Sequence, residues 1–117
     1  MSDERRSEKR IPVEMWVEEH HGKDTYFQRS GNLSVSGIYL DGTLPHPRGT
    51  QVDLRFTLPG DTDPIELRGE IVGDDTPAVG EGGAKLGMHV RFVNLDSVPG
   101  VAERLRRFVE RVTNAKD

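Results

Sequence analysis

Val52-Asp53-Leu54-Arg55-Phe56-Thr57-Leu58 alternates apolar and polar side chains without a break. Successive side chains of a strand point to opposite faces, so this stretch buries one face and wets the other. Pro59-Gly60 ends it. Toward the C-terminus, Ile65, Leu67, Gly69 and Ile71 share one face of the next strand, with Glu66, Arg68 and Glu70 opposite. Gly69 within that row predicts a bulge or a tight barrel bend. Asp74 to Ala84 reads as a loop, with Gly80-Glu81-Gly82-Gly83 as a hairpin tip. Leu86 to Val93 returns to a strand, with Met88, Val90 and Phe92 inward and His89 outward.

Toward the N-terminus, Ile38-Tyr39-Leu40 is a short apolar strand, followed by a loop marked by Asp41-Gly42 and Pro45-His46-Pro47. Thr25 to Ser30 and Pro12 to Glu19 are strands around a turn at His21-Gly22-Lys23-Asp24, which makes them a hairpin. In the Pro12 to Glu19 strand Val13, Met15 and Val17 fall on one face, and Glu14, Trp16 and Glu18 on the other. The period changes only near the end. Val101, Leu105, Phe108 and Val112 recur at helical spacing within Pro99 to Thr113, and Glu103 and Arg107 form an i,i+4 pair on the wet face. The expected fold is all-β with one C-terminal helix: about six antiparallel strands closed into a barrel, which removes exposed edges, with the helix across an opening. Residues 1–11 are expected to be a flexible leader and residues 12–117 the barrel with its helix.

The composition narrows the function. A chain of 117 residues buries one core. A net charge of -4 argues against a general nucleic-acid binder, yet a local cation cluster still suits a small anion. There are no cysteines, hence no disulfides and no thiolate metal sites. No apolar run approaches the roughly 20 residues of a membrane span, and Met1 to Arg10 has no apolar signal-peptide core, so a cytoplasmic protein is expected.

Two short motifs carry the chemistry. Arg6-Ser7-Glu8-Lys9-Arg10 places two guanidiniums four residues apart, with Arg5 beside them. Arginine presents a planar fork of donors that matches phosphate oxygens and the O6/N7 edge of guanine. Asn32-Leu33-Ser34-Val35-Ser36-Gly37 lies between two strands. Asn offers donors and an acceptor, Ser a hydroxyl, and Gly lets backbone approach a ligand. Taken singly, the first reads as a solvated tail and the second as a polar turn.

In this order, separated by a hairpin, Arg6-x-x-x-Arg10 and Asn32-x-Ser34-x-x-Gly37 resemble the PilZ family, whose signature is RxxxR before the first strand and [DN]xSxxG about twenty residues later. The resemblance extends through the Leu86 to Phe92 strand and the C-terminal helix. It implies a β-barrel receptor for the bacterial second messenger cyclic di-GMP, acting in signalling such as motility regulation. It assigns Arg6 and Arg10 to phosphates and guanines, Asn32 to a guanine edge, Ser34 to the ligand's backbone and Gly37 to an open surface. Arg5 adds a third arginine, which bears on whether one or two ligand molecules stack. Position 32 is Asn where many members have Asp, which removes a carboxylate acceptor for guanine N1–H and N2–H. The leader is expected to be loose when free and to fold over the ligand, changing a surface that an unidentified effector protein reads. The alternative is a PilZ-like interaction module that binds no nucleotide.

No other residues compete strongly. His20 and His21 are adjacent on a strand end, so their rings point apart, and with Glu18 and Glu19 they read as a hydrophilic turn rather than a metal site. His46 and His89 show no evident partner. Gly80-Glu81-Gly82-Gly83 lacks the Lys-Ser/Thr of a phosphate-binding P-loop. With no catalytic constellation, metal spacing or cofactor motif, the expectation is a non-enzyme with no cofactor, no nucleic-acid polymer as partner and no membrane insertion.

Overall fold

The computed structural model of the protein describes residues 9–42, 45–75 and 86–115, the side chains of residues 74 and 75 excepted. Its strands are β1 (Ile11–Pro12), β2 (Trp16–His21), β3 (Asp24–Leu33), β4 (Gly37–Asp41), β5 (Gln51–Phe56), β6 (Ile65–Asp75) and β7 (Gly87–Phe92). A 3-10 turn at Leu95–Ser97 leads to helix α1 (Val101–Ala115). All the strand pairs are antiparallel. The order β3-β2-β5-β6-β7-β4 returns to β3, which closes a six-stranded barrel. β3 is long enough to serve twice. Its first half pairs with β2, and its second half lies between β4 and the short β1. Ile11 sits opposite Leu33 and is 4% exposed, so the sheet already includes residue 11, which the sequence reading assigned to the leader.

The alternation of β5 is realised side chain by side chain: Val52, Leu54 and Phe56 are buried, whereas Gln51, Asp53 and Arg55 are exposed. On the wet side, Arg55 reaches Glu66 at 3.1 Å and Arg68 reaches Asp53 at 3.2 Å, so cross-strand charges are matched. Leu33, Ile38, Leu40, Ile71 and Met88 fill the interior with the inward row of β5. Helix α1 adds Val101, Leu105, Phe108 and Val109 to this core and packs beside β1. The helix begins two residues later than Pro99 because Gly100 has φ +80, a left-handed value that no residue inside an α-helix adopts. Glu103 pairs with both Arg106 and Arg107. Among the described residues, no helix is long and apolar enough to cross a membrane.

Three readings of the sequence are corrected. β6 runs to Asp75, taking in Asp74 and Asp75 that the sequence reading gave to the loop, because β7 continues to pair with it through Gly87. The bulge in β6 falls between Ile71 and Gly73 rather than at Gly69. Gly69 lacks a Cβ for another reason: the space it would occupy is taken by the Val90 side chain. His46 has a partner after all. Its Nε2 lies 2.5 Å from Oε2 of Glu19, a carboxylate that is 0% exposed, and Gln28 Nε2 donates to the other oxygen at 2.8 Å. His46 also packs against His21 and Tyr26, with ring centroids 4.8 and 5.8 Å apart. This cluster fastens the β4–β5 loop to the β2–β3 hairpin. The Asp24 carboxylate, with Glu19 adding to it, raises the Tyr26 phenol above its usual range. His20 faces the other way, toward Thr25 and Glu18. The proposed tip Gly80-Glu81-Gly82-Gly83 lies outside the described residues.

Candidate ligand site

The site is built where β3 turns into β4. Ser30 points into the barrel and is 2% exposed, and strict alternation would send Asn32 the same way. Between Ser30 and Asn32, however, the register with β4 shifts. The extra residue, Gly31, places both Gly31 and Asn32 on the outside before Leu33 returns to the core at 0% exposed. A Cβ on Gly31 would stand 3.1 Å from the Tyr39 ring, so the bulge also lets that ring lie close.

Beyond Leu33 the chain reverses in a tight turn. The Ser34 N–H donates to the Gly37 carbonyl at 2.9 Å. The Ser34 hydroxyl accepts from the backbone N–H of Ser36 at 3.2 Å and of Gly37 at 3.1 Å. Ser34 is 0% exposed, so its hydroxyl fixes the turn from within. A Cβ on Gly37 would stand 2.5 Å from the Val90 carbonyl oxygen, which makes the absent side chain a condition of β4–β7 pairing rather than only of an open surface. The turn is further tied to β7 by the Phe92 N–H, which donates to the Ser36 carbonyl at 2.8 Å.

Arg10 closes the corner. Its Nε and Nη2 donate to Asn32 Oδ1 at 2.9 and 2.6 Å, and its Nη1 donates to Ser34 Oγ at 3.2 Å. β1 makes this reach possible, since Pro12 pairs with Asn32 two residues after Arg10. Guanidinium has five N–H groups. Three are used on the described residues, which leaves one on each Nη for a ligand. The sequence-predicted residues therefore divide clearly. Arg10, Asn32, Ser34 and Gly37 meet at one corner; Arg5 and Arg6 lie outside the described residues. At the end of the expected leader, Arg10 makes three hydrogen bonds to the corner.

Beside this corner is a cavity of about 290 Å³ lined by Arg10, Ser36, Gly37, Val72, Gly73, His89, Val90 and Arg91. Its β6 and β7 members were not picked out from the sequence. The available signal was the outward phase of His89 and Arg91 on a strand whose Val90 faces in; what was missing was the pairing of that strand with Gly37. A hollow of about 500 Å³ lies elsewhere, around Glu14, Trp16, Phe27 and Arg29. It is larger, and there Arg29 pairs with Glu14 at 2.8 Å and lies over the Trp16 ring. The smaller cavity adjoins Arg10, whose partners among the described residues are the uncharged Asn32 and Ser34. Among the described residues, no group of three or more His, Asp or Glu side chains is arranged to hold a metal ion.

A family model described as the PilZ domain matches residues 4–111. The chain superposes on the inhibitor of motility (MotI/DgrA) of Bacillus subtilis with a TM-score of 0.80 at 20% identity, covering 97% of this chain and 53% of that one. This chain thus spans about half the length of the Bacillus protein. The PilZ domain of YcgR from Escherichia coli, solved with c-di-GMP, matches with a TM-score of 0.70 at 19% identity, covering 96% of each chain. The PilZ domain of CeSA from a cellulose-synthesizing bacterium matches at 0.60 and 21% identity, covering 87% of this chain and 98% of that one. At such identities these likenesses are of fold. No curated relative matches the chain in sequence.

Proposed function

The chain belongs to the PilZ domain family, and on that premise we propose that it is a cytoplasmic receptor that captures cyclic di-GMP at the Arg10 corner and passes the signal to a partner protein. The observation that carries this reading is the docking of Arg10 on Asn32 and Ser34. A ligand that needs a guanidinium finds it already aimed, so less side-chain entropy is lost on binding. Asn32 suits the task in one respect that an aspartate would not. Its amide oxygen orients the guanidinium while leaving the positive charge uncancelled for a phosphate. Ser34 acts through the turn it fixes and the contact it gives Arg10, and Gly37 through the close approach it allows.

Arg6 and Arg5 belong to the same proposal through the sequence motif, as further cations for a ligand with two phosphates and two guanines. Residues 1–9 close over the bound ligand, and the changed surface is what the effector reads. No step of this calls for catalysis, a metal or a cofactor. An interaction role without nucleotide has one observation in its favour: Trp16 and Phe27, on neighbouring strands, are 64% and 66% exposed, an apolar pair of the kind partners cover. Calorimetric titration separates the two. The receptor reading expects saturable heat with cyclic di-GMP and none at the same concentrations of GTP or cyclic GMP. Absence of heat with cyclic di-GMP up to millimolar leaves the interaction reading standing.

A further inference from the structure

We propose that the outward row of β7, His89 and Arg91, is the second wall of the ligand site, His89 being the surface on which a purine base lies and Arg91 a second cation for the phosphate. This rests on the reading of the Arg10 corner as the cyclic di-GMP site, and it extends that site to residues outside both sequence motifs.

The register puts them there. Gly37 is the direct partner of Arg91, and Tyr39 of His89, across β4 and β7. Since Gly37 has no side chain, nothing on β4 stands between Arg91 and the turn that holds Arg10. On the other flank the β6 bulge sets Gly73 opposite His89, and a Cβ on Gly73 would stand 3.7 Å from the His89 ring. Glycine thus leaves the floor low beside His89 on one side and beside Arg91 on the other.

The His89 ring is not adrift in this groove. Tyr39 lies against it with ring centroids 4.6 Å apart, and Tyr39 itself is only 9% exposed. A backed, partly exposed imidazole beside a glycine is a stacking platform for a flat base. Stacking tolerates any purine, so it supplies affinity, and the neighbouring donors supply the choice of base. Arg91 Nη2 donates to Glu70 at 2.7 Å, which fixes the guanidinium while leaving its Nε and Nη1 unspent on the described residues. The cavity of about 290 Å³ falls just below the usual range for ligand clefts, about 300–1,000 Å³. It suits one base, with the sugar-phosphate ring outside, between Arg10 and Arg91.

The test is a titration of cyclic di-GMP into the full chain and into His89→Ala, His89→Phe and Arg91→Ala, with thermal melts showing that each variant is folded. The expected result is a roughly 5- to 150-fold weaker Kd for His89→Ala, the loss of one stacked base, with His89→Phe within a few-fold of the parent. Arg91→Ala is expected to weaken binding about 10-fold, as loss of a charge-assisted contact does. Parent-like affinity in both alanine variants overturns this second wall and leaves the Arg10 corner untouched. His89→Phe as weak as His89→Ala overturns the stacking role. No binding by the parent chain overturns the receptor reading, and this inference with it.

Discussion

His46→Ala destabilises the barrel by about 1–3 kcal/mol, the cost of leaving a buried acceptor without its partner. The argument turns on Glu19, which is 0% exposed and has two hydrogen-bonding partners, Gln28 and His46. When the imidazole is removed, one carboxylate oxygen remains in the interior with nothing to accept from. Domains of this size hold only about 5–15 kcal/mol in total, so the loss is a large share of it. The compensating change supplies the control. Replacing both residues by leucine removes the buried acceptor together with the need for a partner, and such double replacements can be nearly neutral or stabilising. Urea unfolding reads both, with the midpoint lowered at constant slope in His46→Ala and close to the parent in the double variant. A single variant within about 0.5 kcal/mol of the parent would mean that water replaces the imidazole without cost, and the pair would then be ornamental.

Arg10→Ala has the opposite profile. Arg10 is exposed, and the buried Ser34 hydroxyl keeps the Ser36 and Gly37 amides as partners when Arg10 is removed, so the melting temperature changes little. Affinity for cyclic di-GMP falls by roughly 10- to 150-fold, the equivalent of about 1.5–3 kcal/mol for a hydrogen bond to a charged group. Arg10→Lys recovers only part of this. Lysine keeps the charge but lacks the planar fork that two donors to Asn32 and one to Ser34 require. Calorimetry measures the affinity and circular dichroism the stability. An Arg10→Ala variant that binds as the parent does removes the guanidinium from the mechanism.

Much of this was legible in the chain itself. Alternation from Val52 to Leu58 and helical spacing from Val101 to Val112 are local properties, and local properties survive folding unchanged. Arg10, Asn32 and Ser34 were legible as a group because their spacing matched a known pattern. The bulges were not. Whether an extra residue sits at Gly31 or Val72 depends on the strand opposite, and that strand is distant in sequence. The bulge at Gly31 nevertheless decides that Asn32 faces Arg10 rather than the core. The Glu19–His46 pair was invisible for the same reason: 27 residues separate its members, and His46 reads as a loop residue between two prolines. Gly37 was read as an opening in the surface, and its closer constraint, the Val90 carbonyl, appears only once β4 and β7 are paired. His89 and Arg91 showed their outward phase in sequence, but only the pairing across Gly37 and Tyr39 shows what they face.

The most direct test is to follow backbone amide chemical shifts while cyclic di-GMP is added to the intact chain. The account predicts saturating shifts that cluster at residues 32–37 and 89–91 and stay absent when GTP is added instead. Shifts confined to the Trp16 and Phe27 face, or none at millimolar nucleotide, would contradict it.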